Sequence, residues 1–177
     1  ANANVNVGTY DQVKLMVSKV VVVEEGVLEE AKLPSGELKI IGDIVSDYLE
    51  FSHEVFGRNS KAIGFTAGIE HGKELVQKFA EVGVNAVQLT CNDDDEYKAD
   101  VLKDFSRHDT DIDMLLSADL LTRGYDEPSI EHIILARPLR KSFSSFTQMV
   151  GRGARPHPGK QFCVIQDNSG NWMRFQD

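Results

Sequence analysis

"KAIGFTAGIEHGKELVQKFAEVGVNAVQLT", residues 61–90, carries two short apolar runs on either side of an amphipathic stretch. The first run, residues 61–66, ends at small residues and reads as a strand. The middle places Leu75, Val76, Phe79 and Val82 at helical spacing, with Gly83 as the stop. The last run, residues 85–90, reads as a second strand. Strand, helix, strand in this order is a βαβ unit, which needs parallel strands and a right-handed crossover.

The same alternation continues towards the C-terminus. Residues 93–108 read as a helix, with acids crowding the first turn, where the helix dipole favours them. Val101, Leu102 and Phe105 form its apolar stripe. "DMLLSA" (113–118) and "IEHIILA" (130–136) are further strands, "SFSSFTQMVGR" (142–152) a helix, and "QFCVIQD" (161–167) a fifth strand. The expected class is α/β, a parallel sheet with helices on both faces. Ligands of such sheets bind at the carboxyl ends of strands. Three unusual segments follow strands there: "TAG", "TCND" and "SADLLTRGYDEP". Upstream, "MVSKVVVVEEG" contains a strand, "LPSGE" reads as a turn, and residues 41–56 carry Ile44, Val45, Tyr48, Leu49 and Phe56 in a helical pattern.

Composition sets the outer limits. The 177 residues suit one domain with a real core. The two cysteines make no disulfide framework, so a reducing compartment is expected. No N-terminal stretch resembles a signal peptide, and "VVVV" at 20–23 is far too short to span a bilayer. A cytoplasmic protein without a membrane partner is the expectation. "ANA" at the start reads as a cloning scar. The net charge of −9 argues against a surface coated for nucleic acid. Its distribution is uneven. Residues 81–119 hold eleven acids against Lys98, Lys103 and Arg107, whereas residues 120–160 hold seven bases against three acids.

"QMVGRGARPHPGK", residues 148–160, invites a phosphate-loop reading. The spacing rejects it. Five residues separate Gly153 from Gly159, Gln161 rather than Ser or Thr follows Lys160, and Pro156 and Pro158 have no N–H to donate. The arginines are better placed. On a helix, Gln148, Arg152 and Arg155 fall within about 60° of one another, and Pro156 ends that helix beside Arg155. Two guanidinium forks and an amide suit a polyphosphate; a surface helix with ion pairs is the plain alternative. In "TRGYDEP", Gly124 permits a tight turn and Asp126 could accept a bond from a ribose hydroxyl, although a simple turn explains the stretch as well. Metal sites find no support. "DTDIDM" lacks the EF-hand Gly and Glu, the five histidines form no close pair, and "NDDDE" reads as acids opening a helix.

These clusters, in this order, resemble a known family. "SADLLTRGYDEP" followed by "QMVGRGARP" resembles motifs V and VI of the second RecA-like lobe of superfamily-two DEAD/DEAH-type helicases. "KAIGFTAGIEHGKELVQKF" is similar to motif IV and its helix; "YKADVLKDF", "ILARPLRKS" and "FCVIQDNSGN" resemble the rest of the lobe. The nearest subgroup is the RadD-type bacterial and phage DNA helicases, related to restriction-enzyme motor subunits.

The resemblance implies a RecA-like lobe over residues 61–177, with residues 1–60 as an N-terminal strand and linker segment leading into it. It implies that Arg155 is the arginine finger and Arg152 its partner at the γ-phosphate. Gln148, Gly124 and Asp126 would line the nucleotide. The backbone near Thr66, Thr90 and Thr122, with Arg123, would track a strand's phosphates, with the acidic tract from Asp93 to Asp113 facing away. ATP with Mg²⁺ is the implied cofactor. Nucleic acid, DNA in this subgroup, and a first RecA-like lobe are the implied partners.

Two departures qualify this. Ala118 stands where many relatives have Thr. The sequence also contains neither a P-loop nor the DEAD/DEAH acids, so the chain is expected to be half of an ATPase, part of a longer protein and inactive alone. The alternatives are the motor lobe of a restriction-type translocase that does not unwind, and a non-catalytic RecA-like interaction module.

Overall fold

The structure, a computed structural model, describes residues 36–118, 125, 127–137, 157–158 and 163–168. Helix α1 spans Gly36–Phe56, with its side chains described from residue 44. It starts earlier than the apolar pattern at 41–56 suggests, because Gly36 and Glu37 of the expected "LPSGE" turn are its first residues. Then follow β1 (Ala62–Phe65), α2 (Ile69–Glu81), β2 (Ala86–Gln88), α3 (Asp95–Phe105), β3 (Met114–Ser117), β4 (His132–Leu135) and β5 (Val164–Asp167). The strand expected within residues 16–26 and the helix expected over 142–152 lie outside the described residues.

The five strands form one sheet in the order β2-β3-β1-β4-β5, every pair parallel. Four of the five are buried along their whole length, as strands sandwiched between helix layers must be. Alternation then sorts the side chains. Ala62, Ala86, Met114, Leu116 and Ile134 join Ile44, Val45 and Tyr48 of α1 and Leu75 and Phe79 of α2 in one core. Tyr48 packs edge-on to Phe79 with ring centroids 5.4 Å apart. The core therefore draws on α1 as well as on α2 and strands β1 to β4. Phe51, absent from the expected apolar stripe of α1, is also buried.

Helix α2 shows how the sequence sets its own limits. Gly83 takes φ +78°, a left-handed value that costs glycine little. Its N–H bonds to the Ala80 carbonyl, and the Val84 N–H reaches back to the Phe79 carbonyl. This pair of bonds is the Schellman arrangement, and buried Val84 and Phe79 share the core beneath it. Val82, expected on the apolar stripe, is exposed instead. It is the capping residue beyond the last turn, where the chain already leaves the helical path.

At the amino edge of the sheet, Arg58 forks onto the buried Glu131 through two 2.8 Å bonds. The Lys61 backbone N–H also donates to Glu131. These contacts tie the entrance of β1 to that of β4 and leave the carboxyl edge for function.

Candidate nucleic-acid interface

Three strand ends of the carboxyl edge lie side by side. Beyond β1, the Thr66 N–H donates to the Ser117 carbonyl; beyond β2, the Leu89 N–H donates to the Leu116 carbonyl. The pairing Phe65 with Ser117 and Gln88 with Leu116, extended by a residue or two, sets Thr66 and Thr90 on either side of Ala118. Interstrand spacing puts the two threonines roughly 10 Å apart. Ala118, which offers no hydroxyl, sits between them.

The two threonines are not equivalent. Thr66 is fully buried, and its hydroxyl donates to the Gly68 carbonyl at 3.2 Å. Its atoms brace the turn that follows, and the exposed backbone here belongs to Ala67 and half-exposed Gly68. Three side chains hold that turn. Thr66 holds the Gly68 carbonyl, His71 Nδ1 accepts the Ala67 N–H at 3.0 Å, and Gln88 Nε2 donates to the Ile69 carbonyl at 2.8 Å. Gln88 reaches Ile69 only because Gly72 has no side chain: a Cβ there would lie 2.1 Å from Gln88 Nε2. The first N–H groups of α2 have no intrahelical acceptor and carry the positive end of the helix dipole.

Thr90 is half-exposed. Its N–H donates to Asp93 Oδ2 at 2.7 Å, and its hydroxyl accepts the Asn92 N–H at 3.2 Å. The hydroxyl hydrogen remains as the donor that Thr90 can offer a phosphate. Asp93 thus sits at the carboxyl edge beside Thr90, so the acidic tract begins on this edge rather than wholly facing away from it. Asp109, Asp111 and Asp113 lie at the other end of the sheet, where Asp113 accepts the Asn85 N–H at the entrance of β2.

Thr122, Arg123, Gly124, Asp126, Gln148, Arg152 and Arg155 lie outside the described residues. Among the described residues, no three His, Cys, Asp or Glu gather as metal ligands, and no helix is long and apolar enough to cross a membrane. Neither cysteine is in a disulfide; Cys91 is exposed and Cys163 buried.

A second polar constellation lies on the α1 face of the sheet. Burial pushes the fully buried His132 down to about 3, although the Gln166 bond opposes this. His132 Nδ1 lies 2.8 Å from Ser60 Oγ, and Nε2 lies 2.9 Å from Gln166 Oε1. Ser60 Oγ also meets Ser52 Oγ at 2.8 Å, while the Tyr48 hydroxyl donates to the Ser60 carbonyl at 2.6 Å. The sequence alone raises the histidines only as candidate metal ligands. The signal for this cluster was a polar residue at an inward-facing position of each of two apolar strands, His132 in "EHIILA" and Gln166 in "VIQD".

A five-stranded parallel sheet in this order, flanked by helices, is the architecture of a RecA-like helicase lobe. The helicase conserved C-terminal domain family matches residues 44–157, and the chain belongs to that family. Among curated relatives, it is 33% identical over 100 residues to "Putative ATP-dependent helicase IRC3" of Saccharomyces cerevisiae, covering 56% of this chain and 14% of that one. A 51.5 kDa protein of a Lactococcus phage is 29% identical over 133 residues, covering 75% of this chain and 27% of its own. The chain thus spans well under a third of these relatives.

Among solved structures, a fragment of a "putative HsdR subunit of a type I restriction enzyme" from Vibrio vulnificus superposes with TM-score 0.66 at 23% identity, covering 91% of this chain and 30% of that one. Domain 2 of the DEAD-box helicase Mss116p bound to an RNA duplex superposes with TM-score 0.58 at 16% identity, covering 77% and 53%. At these identities the likeness is one of fold.

Proposed function

We propose that the chain is the second motor lobe of a longer ATP-dependent helicase or translocase acting on DNA. The observation that carries this is the family match over residues 44–157, which contains both "TRGYDEP" and "QMVGRGARP" in order. The lobe's own phosphate-seeking groups are guanidiniums, which fit a phosphate without supplying metal ligands. Mg²⁺ and most of the nucleotide contact then belong to a first lobe. ATP supplies the free energy when bound there. On closure Arg152 and Arg155 donate to the γ-phosphate and stabilise the charge that develops on it, with Gln148, Gly124 and Asp126 lining the cleft.

At the carboxyl edge, the backbone beyond Thr66, the hydroxyl of Thr90 and the segment of Thr122 and Arg123 hold phosphates of one strand. Closure and opening change the distance between this grip and that of the first lobe, which couples turnover to movement along the strand. Grip through phosphates is independent of sequence and weakens with salt. The isolated chain, without the P-loop lobe, neither hydrolyses ATP nor unwinds.

The test uses the full-length protein with ATP, Mg²⁺ and either DNA or RNA. DNA-stimulated hydrolysis with strand displacement supports a helicase; hydrolysis with triplex displacement but no strand separation marks a restriction-type translocase. Absence of stimulated hydrolysis with any nucleic acid refutes the motor assignment and leaves an interaction module.

A further inference from the structure

The polar groups on the α1 face form a hydrogen-bonded chain with one permitted direction. The Ile44 carbonyl can only accept, and Gln166 Nε2 donates to it at 3.0 Å. This fixes the Gln166 amide, so its Oε1 faces His132 as an acceptor. His132 Nε2 must therefore carry the ring proton, and Nδ1, in a ring that burial keeps neutral, must accept from the Ser60 hydroxyl. Ser60, having donated its hydrogen, accepts from Ser52. On the other side, Gln166 Nε2 also donates to Asn168 Oδ1 at 2.7 Å, and Asn168 Nδ2 donates to Asp47 Oδ2 at 3.1 Å. The chain thus begins on α1 at Ser52, crosses β4 and β5, and returns to α1 at Asp47. Ser52, Ser60, His132, Gln166 and Asn168 are all buried. Only its last member, Asp47, is half-exposed and able to change charge near neutral pH.

We propose that this ring is a proton-linked clasp for α1, in which Asp47 is the latch: α1 is held most firmly with the Asp47 carboxyl protonated and loosens when it ionises. The geometry sets the sign. Aligned donors favour a carboxylate at the end of the chain, but a single amide N–H replaces little of the hydration that packing removes. Glu50, one turn along the same helix, adds a like charge. From the sheet, β5 and the residue after it face this end of the ring with neutral Gln166 and Asn168, and β4 with neutral His132. Consistent with this, burial raises the Asp47 carboxyl from 3.8 to about 6, with the Asn168 bond pulling it down and Glu50 pushing it up. A group raised in the folded state contributes stability that is present at low pH and is lost as pH rises to about 6. The clasp stands apart from the motor reading and is tested on the chain itself.

The experiment is urea unfolding between about pH 4 and pH 7.5 of the wild type, Asp47→Asn and Asn168→Ala. Asp47→Asn keeps an acceptor for Asn168 and cannot ionise. It should raise the folding equilibrium constant roughly tenfold above about pH 6.5, allowing for the water that still reaches Asp47, and the gain should fall away towards about pH 4. Asn168→Ala removes the donor and should move the midpoint of the wild-type pH dependence upward. A gain that does not vary with pH, or none at any pH, overturns the clasp. If Asp47→Asn fails to fold, a ¹³C NMR titration of the wild-type Asp47 carboxyl decides: a midpoint near about 6 supports the clasp, and one near about 4 overturns it.

Discussion

Gly72 and Gln88 should be coupled so strongly that one substitution changes sign with the identity of the other. Glycine inside a helix costs about 1 kcal/mol relative to alanine, so Gly72→Ala alone should stabilise α2. The structure opposes this. The new Cβ would lie 2.1 Å from Gln88 Nε2 and 2.7 Å from its Cδ, so the side chain must leave. It would give up the 2.8 Å bond to the Ile69 carbonyl, worth about 0.5–1.5 kcal/mol, together with its packing over the helix. Gly72→Ala in the wild type should therefore be neutral or destabilising by up to about 1 kcal/mol. With Gln88→Ala already in place, the obstruction is gone and the same change should stabilise by about 1 kcal/mol. The difference is a coupling of about 1–2 kcal/mol, read from urea midpoints of the four proteins at constant m. If Gly72→Ala stabilises equally in both backgrounds, Gln88 does not occupy this position, and the bracing of the β1–α2 turn is wrong.

His132 is depressed in the folded chain, so it contributes stability that is present above its unfolded value near 6.5 and is lost as pH falls towards about 3. His132→Gln should be less stable at neutral pH but should lose up to about 1.4 kcal/mol less per unit of acidification in that window, measured by urea unfolding; parallel profiles would contradict a buried neutral imidazole. At the carboxyl edge, Thr90→Val should weaken single-strand binding by the full-length protein several-fold, and Ala118→Thr should strengthen it. Neither should alter the salt slope in fluorescence anisotropy, because no charge changes. Unchanged affinity in both would remove this edge from the strand path.

The sheet was legible because each strand is a short apolar run closed by small or turn-forming residues, and α2 because its stripe and Gly83 agree. Helix ends were less so. Val82 matched the apolar period but lies beyond the last turn, and nothing in that period tells a capping residue from a core one. Tyr48 and Ile44 were visible as helical positions; that they complete the core of the sheet depends on long-range packing that no local pattern encodes. The same holds for the clasp, whose last two members, Asn168 and Asp47, are separated by most of the chain. At the edge, residue type suggested that Thr66 and Thr90 were alike. Burial separates them: one hydroxyl braces the turn, and the other keeps a hydrogen to give.

The account stands on Arg155 reaching a nucleotide held by another lobe of the same protein. DNA-stimulated ATP hydrolysis by the full-length protein carrying Arg155→Ala, measured beside nucleotide binding, addresses this directly. The predicted result is a turnover lower by roughly 10³-fold or more with nucleotide binding largely kept, since the finger acts on the transition state and the first lobe does most of the holding. Turnover at the wild-type rate would contradict it.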